Sequence, residues 1–286
     1  MLKIFCFGYP RIYLNERPVT DFVSNKSLAV LLFAALNPGP QSRDTLTGMF
    51  WGDQPEKKAR ASFRSVLYNI RQLIGDYLIT DRKSISFDAT LPSFIDAIYL
   101  QNALSKKELH EIDIEAVRKG VELYRGPFFE GFFVSSGIEF ENWVLRRRAA
   151  YESDAIKGLT QLAAYDKRQG KTDLTIDSLR QLVKIDALNE STQQELMLVL
   201  ARMGEFNQAI AQFKIYKALL EKELDIEPMP GMLALYRKIV RARGLPRHNI
   251  PAESTPFIKR PALLKKILST LQIPNNRIVT LLGTGG

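Results

Sequence analysis

WGDQPEKKARASFRSVLYNIRQLIGDYLITDRKSISF, residues 51–87, is the stretch whose reading decides the fold. Phe63, Val66, Leu67, Ile70, Leu73 and Ile74 recur at helical spacing and predict one buried side of a helix over about 57–74. The opposite side carries Lys57, Lys58, Ala61, Arg64, Ser65, Tyr68 and Gln72, all donors or small groups with no carboxylate among them. Asp76 to Thr80 then reads as a strand, Asp81-Arg82-Lys83 as a turn, and Ser84 to Phe87 as a second strand. A donor-rich helix followed by a basic-tipped hairpin is what a winged helix needs to read one groove of DNA and clamp a neighbouring phosphate. The pattern therefore points to a DNA-binding regulator.

Upstream, Leu2 to Phe7, Ile12 to Leu14 and Pro18-Val19 read as short strands, the last two separated by the turn residues Asn15-Glu16-Arg17. Ser24 or Asn25 caps a helix from Lys26 to Leu36, which Asn37-Pro38-Gly39-Pro40 stops. Ser42 caps a short helix from Arg43 to Phe50. Helix, short helix, turn, long helix, hairpin is the winged helix-turn-helix order, in the variant that opens with a sheet.

From about Asp96 the pattern is helical throughout, with no convincing strand. Candidate helices are 94–105, 111–124, 138–169, 171–186, 190–203, 205–224 and 231–242, broken at Gly126-Pro127, Gly137, Gly170, Gly204 and Pro228-Met229-Pro230. Gly170 and Gly204 stand 34 residues apart, the tetratricopeptide period. Such helix pairs cannot bury their apolar faces alone and must stack. The expected fold is mainly α: a winged helix-turn-helix with an N-terminal β-sheet and hairpin wing over 1–92, then an α-solenoid of tetratricopeptide-like hairpins over 93–243. Residues 244–286 are expected to be a linker and the truncated start of a further domain.

Composition narrows the function. The 286 residues suit about two domains, and 45% apolar content is enough to build cores. The single cysteine, Cys6, excludes an internal disulfide framework and a multi-cysteine metal site. No run approaches a membrane span and the start is no signal peptide, so a cytoplasmic protein without membrane contact is expected. The net charge of +9 is unevenly spread. Lys and Arg number 12 against 8 Asp and Glu in residues 1–92, 20 against 22 in 93–240, and 8 against 1 in 241–286. A nucleic-acid module explains the first excess; a solvated linker suffices for the last. The only histidines, His110 and His248, are far apart, and no nucleophile motif, metal spacing or complete phosphate loop is present. The chain does not read as an enzyme.

The residues converge on a family. Leu46 through Phe50-Trp51-Gly52-Asp53, Leu67 to Gly75, Glu122-Leu123-Tyr124-Arg125-Gly126-Pro127-Phe128, Glu141 to Arg148, Glu195 to Gly204 and Glu223-Leu224-Asp225-Ile226-Glu227-Pro228 carry the match. Over about residues 1–243 the chain resembles bacterial transcriptional activators of the antibiotic-regulatory-protein type, which pair an OmpR-like winged helix with a tetratricopeptide-like bacterial transcriptional activator domain. The resemblance implies promoter DNA as partner and a helical domain used for dimerisation or protein contacts. At the wing, Ser84-Ile85 stands where the family often has Gly-Tyr. Phe257 to Leu264 and Arg277 to Gly286 look like the start of a signal-transduction ATPase, with Gly283, Gly285 and Gly286 beginning a phosphate loop. That loop needs G-x-x-x-x-G-K-[ST]; the sequence stops before the lysine and hydroxyl. No cofactor is expected for this chain, and ATP only for a longer protein carrying the complete loop.

On this reading the first half of the long helix enters the major groove. Arg64 forks onto guanine, worth about 1–3 kcal/mol of base discrimination, and Ser65 and Tyr68 touch a base edge or phosphate. Lys57 and Lys58 face phosphate at the helix start, and Arg82 and Lys83 clamp the adjacent backbone. Arg71 is expected in a structural salt bridge. Phe128, Phe129, Phe132, Phe133, Phe140 and Trp143 read as core rather than as a docking surface. Arg146-Arg147-Arg148 read as a solvated face. Two copies are expected on repeated half-sites, because one short helix reads too few base pairs, and activation requires a partner such as RNA polymerase. The competing class is a protein-interaction scaffold in which the winged helix is a docking module.

Overall fold

Alternation opens the chain. Leu2, Ile4 and Cys6 are buried while Lys3 and Phe5 are half-buried, as a strand with one covered face requires. The computed structural model describes residues 1–105, 113–135, 137–244, 265 and 267–270. Strand β1 (Leu2–Phe5) pairs antiparallel with β2 (Arg11–Leu14), with Ile4 opposite Ile12, and β2 pairs with β3 (Arg17–Pro18) across a turn at Asn15 and Glu16, both at positive φ.

Helix α1 (Asn25–Leu36) is capped by the Ser24 hydroxyl, which accepts from the Ser27 amide, and α2 (Arg43–Trp51) by Ser42 accepting from Thr45. Strand β4 (Gln41–Ser42) lies between them. Helix α3 (Glu56–Ile74) follows Pro55 and buries Ala59, Phe63, Val66, Leu67, Ile70 and Ile74, while Leu73 is half-buried. Strands β5 (Leu78–Thr80) and β6 (Ser84–Phe87) make the hairpin, and β4 completes a three-stranded sheet in the order β4-β6-β5. This is a winged helix-turn-helix.

Two strands carry no usable sequence signal. β4 is a two-residue pairing. β7 (Ser93–Ile95) falls where a helix from residue 94 is expected, and instead runs parallel to β1 with Ile95 opposite Ile4. The first sheet is therefore β3-β2-β1-β7, and the helix begins only at Asp96. Three residues are too few for period-two alternation to register; the long-range partner decides.

The helices that follow are α4 (Asp96–Leu104), α5 (Ile114–Leu123), α6 (Ile138–Arg168), α7 (Thr172–Ile185), α8 (Glu190–Arg202), α9 (Phe206–Leu224) and α10 (Pro230–Arg243). The 34-residue glycine spacing has a physical cause. Gly170 and Gly204 both adopt positive φ, and each is followed by the same six-to-one closure: Lys171 N–H to Asp166 C=O, and Glu205 N–H to Leu200 C=O, both 2.9 Å. This terminates two equivalent helices with the same sharp reversal. The α-solenoid of helical hairpins is present as expected.

Helix α6, 31 residues long, joins the two halves. Its N-terminal part sends Phe140 against Phe50 (5.1 Å between centroids) and Trp143 against Phe33 (5.0 Å), and further along Tyr151 meets Phe7 (5.6 Å). Phe128, Phe129 and Phe132 complete this aromatic core; Phe133 alone of the group points outward, 69% exposed. Burying each such ring contributes about 1.5–3 kcal/mol.

Arg147 and Arg148 do not lie on a solvated face, contrary to the sequence reading. Arg147 Nη2 donates to the Leu36 carbonyl (3.2 Å) and Asn37 Oδ1 (3.3 Å), and Arg148 donates to the carbonyls of Phe128 (3.0 Å) and Phe129 (3.4 Å). Both are half-buried staples, and only Arg146 of the three is exposed. Residues Met1–Arg243 pack as one compact unit; Gly244–Gly286 form a second, in which residues 265 and 267–270 are helical. Gly283, Gly285 and Gly286 and both histidines lie outside the described residues. Among the described residues no helix is long and apolar enough to cross a membrane.

Candidate nucleic-acid interface

Lys57, Lys58, Ala61, Arg64, Ser65, Tyr68 and Gln72 are all exposed on α3, Tyr68 by 69%. The helix is held by its other side. Phe63 packs edge-on against Trp51 at 5.8 Å, with the Arg43 guanidinium 5.9 Å from the Phe63 ring centre. Asn69 ties α3 to α1 and the segment before it: its Oδ1 accepts from Ser27 Oγ (2.8 Å) and the Val23 amide (3.2 Å), and its Nδ2 donates to the Asp21 carbonyl (3.2 Å). A helix anchored on one side by rings and an amide bridge presents its free side in a fixed orientation.

Among the described residues, the carboxylates that reach α3 are taken up by Arg60. Arg60 Nη2 lies 2.7 Å from Glu56 and 3.4 Å from Asp44. By contrast, Lys57, Lys58 and Arg64 form no ion pair among the described residues. No side-chain cap closes the start of α3, where unpaired amides and the helix dipole favour an anion. Arg71 is expected in a salt bridge; it is exposed, and its Nη1 instead meets Thr80 Oγ1 at 3.5 Å, with no ion pair among the described residues.

At the wing, Arg82 and Lys83 are exposed, and the turn that carries them is built by Asp81. Its Oδ1 accepts from the amides of Lys83 (2.6 Å) and Ser84 (2.9 Å), and its Oδ2 from the Ser84 hydroxyl (2.7 Å). These hydrogen bonds, the Ser84 hydroxyl first, pull the carboxyl pKa down to about 2. The Lys83 carbonyl accepts from the Arg43 amide at 2.9 Å, fastening the wing tip to the start of α2. Ile85 is buried in the wing sheet, opposite Gln41. The sequence reading did not single out Asp81, Arg43 or Asn69. For Asp81 a signal existed, since an aspartate followed by a serine three residues on is an Asx-type turn pattern.

The structure thus gathers the α3 candidates on one exposed side and sets Arg82 and Lys83 on a separate turn; no hydrogen bond or ion pair links the two groups among the described residues. A winged helix braced by stacked helical hairpins, with an acid-poor outer helix side, defines the architectural class of the chain.

Residues 92–240 match the bacterial transcriptional activator domain, and the chain belongs to that family. It is 26% identical over 215 residues to the transcriptional regulatory protein MoaR1 of Mycobacterium tuberculosis, covering 69% of this chain and 66% of that protein. It is 22% identical over 210 residues to the regulatory protein AfsR of Streptomyces coelicolor, covering 69% of this chain and 20% of that protein. The chain thus spans just under two thirds of the first relative and a fifth of the second. Mycobacterium tuberculosis EmbR, solved in complex with a low affinity phosphopeptide, superposes with a TM-score of 0.56 at 20% identity, over 86% of this chain and 66% of that one. That likeness extends to the fold. The resemblance to antibiotic-regulatory-protein-type activators is upheld, and the family is one of transcriptional regulators.

Proposed function

We propose that this chain is a sequence-specific DNA-binding transcriptional regulator that activates from promoter repeats. Helix α3 enters the major groove with Arg64, Ser65 and Tyr68 toward bases and with Lys57 and Lys58 toward phosphate; Ala61 allows close approach. Arg82 and Lys83 hold the neighbouring backbone. The observation that carries this reading is the outer side of α3: exposed, basic and free of carboxylates, while Arg60 is paired with Glu56 and Asp44 within the protein. The proposed division assigns DNA binding to residues 1–92 and dimerisation or RNA polymerase contact to the helical repeats of 93–243. Two copies occupy repeated half-sites, and the protein works in the cytoplasm without a catalytic role of its own.

The test is selection from a random duplex pool by the purified chain near physiological salt. A recovered repeat with fixed spacing, bound with affinity that falls steeply with salt, supports the proposal. Absence of any enriched sequence, or saturation by one copy per site, overturns the specific reading or the two-copy reading respectively.

A further inference from the structure

A cleft of about 610 Å³ opens where the winged helix meets α6. Its walls come from the end of α1 (Leu36), the last wing strand (Phe87), β7 (Ile95) and α4 (Ile98, Gln101), with Arg147 of α6 closing one side. That volume, an apolar lining and one or two polar groups are the attributes of a small-molecule site. Among the described residues, Arg147 is the only charged one lining it.

The guanidinium is half-buried yet has no carboxylate partner among the described residues. Its Nη2 makes two long hydrogen bonds to neutral oxygens, and the Trp143 ring lies 5.8 Å from its centre. Nε and Nη1 donate to nothing among the described residues. Of the other half-buried arginines of the helical region, Arg118 has Asp166 at 3.0 Å, while Arg148 spends Nε and Nη2 on the Phe128 and Phe129 carbonyls. Partly desolvated cations are ordinarily paired, and a guanidinium offers a fork that matches a carboxylate.

We propose that this cleft binds a small organic monoanion with an apolar body, an aromatic or branched aliphatic carboxylate, whose acid group pairs with Arg147 and whose hydrocarbon lies on Phe87, Ile95 and Ile98. An occupant touches both the winged helix and α6 and so tightens their junction. The inference stands apart from the DNA-binding reading, and its test uses no DNA.

The full chain is titrated with naphthoate and, separately, with the uncharged naphthamide, followed by saturation-transfer NMR and by thermal unfolding. Naphthoate is expected to bind once per chain, to raise Tm, and to bind about tenfold tighter than the amide, the gain of one charge-assisted pair. Arg147→Gln keeps donors for Leu36 and Asn37 but removes the charge, and should bring the acid down to the amide's affinity. Arg147→Lys should keep the preference. Ala89→Trp, at the exposed rim of the cleft, should block both ligands. Should Arg147→Gln fail to fold, the acid–amide contrast and Ala89→Trp decide. Equal binding of acid and amide, no binding of naphthoate up to millimolar concentration, or binding indifferent to Ala89→Trp overturns the proposal.

Discussion

The backbone amide of Cys6 donates to both carboxylate oxygens of Asp96, at 2.8 and 2.9 Å, across 90 residues of sequence. Phe7 N–H adds a contact to Oδ2 at 3.3 Å and Ala97 N–H one to Oδ1 at 2.7 Å. Asp96, 1% exposed, is therefore the fastening between the N-terminal sheet and the first helix after the winged helix. Burial raises its pKa above the ordinary aspartate value, while the three amides pull the other way. Burial first, and then the charge of Asp96, push the Cys6 thiol well above its ordinary value.

Asp96→Ala strands three buried donors and is expected to cost about 3 kcal/mol. Asp96→Asn should be no rescue, since either amide orientation sets an NH2 against a backbone N–H. Urea unfolding of the two variants measures this; an asparagine variant as stable as the parent would show that the second oxygen is dispensable. Cys6 should resist alkylation in the native protein.

A second fastening ties α5 to α6. Arg118 Nη2 lies 3.0 Å from Oδ1 and 3.1 Å from Oδ2 of Asp166, which is fully buried. Arg118→Ala leaves that carboxylate unpaired and should cost roughly 3–5 kcal/mol, whereas the double change Arg118→Met with Asp166→Leu should recover most of the loss. Equal destabilisation by the single and double variants would argue that shape rather than charge is at stake.

What the sequence made legible follows from what local pattern can encode. The α3 stripe was readable because six apolar residues recur at one helical period, and all but Leu73 are fully buried. The glycine period was readable because Gly170 and Gly204 perform the same left-handed helix stop. β7 was not, since its identity comes from a parallel partner some ninety residues away. Nor were the roles of Arg147 and Arg148: three consecutive arginines look alike in sequence, and only packing tells which carbonyls two of them meet. At the candidate interface, exposure of the α3 residues was foreseeable from the stripe. The pairing of Arg60 to Asp44, in a different helix, was not.

The wing turn offers a pH-dependent test. Asp81 has its carboxyl pKa lowered from 3.8 to about 2 by hydrogen bonds that exist only in the folded turn. A depressed carboxylate contributes its stabilisation above the unfolded value and loses it as pH falls through the folded one. The wing turn should therefore stay closed at pH 5 and loosen between about 4 and 2. A carboxyl NMR titration with a midpoint near 4 would refute the turn geometry. Asp81→Ala should expose the Lys83 and Ser84 amides to faster hydrogen exchange at neutral pH, without large loss of global stability.

The proposed DNA contact separates three arginine and lysine positions by what each already has as a partner. Arg64 is exposed and unpaired among the described residues, so Arg64→Ala should weaken binding to the selected site by on the order of tenfold and relax one base position. Lys83, on the wing, should act on phosphate alone. Its alanine variant should weaken every sequence alike and lower the salt slope by about 1. Arg60 is the internal control: its guanidinium is already held by Glu56 and Asp44, so Arg60→Ala should change affinity little despite sitting one turn from Arg64. Competition binding at several salt concentrations distinguishes the three. If Arg60→Ala costs as much as Arg64→Ala, or if Arg64→Ala weakens all sequences equally, α3 is not the base-reading element and the groove assignment fails.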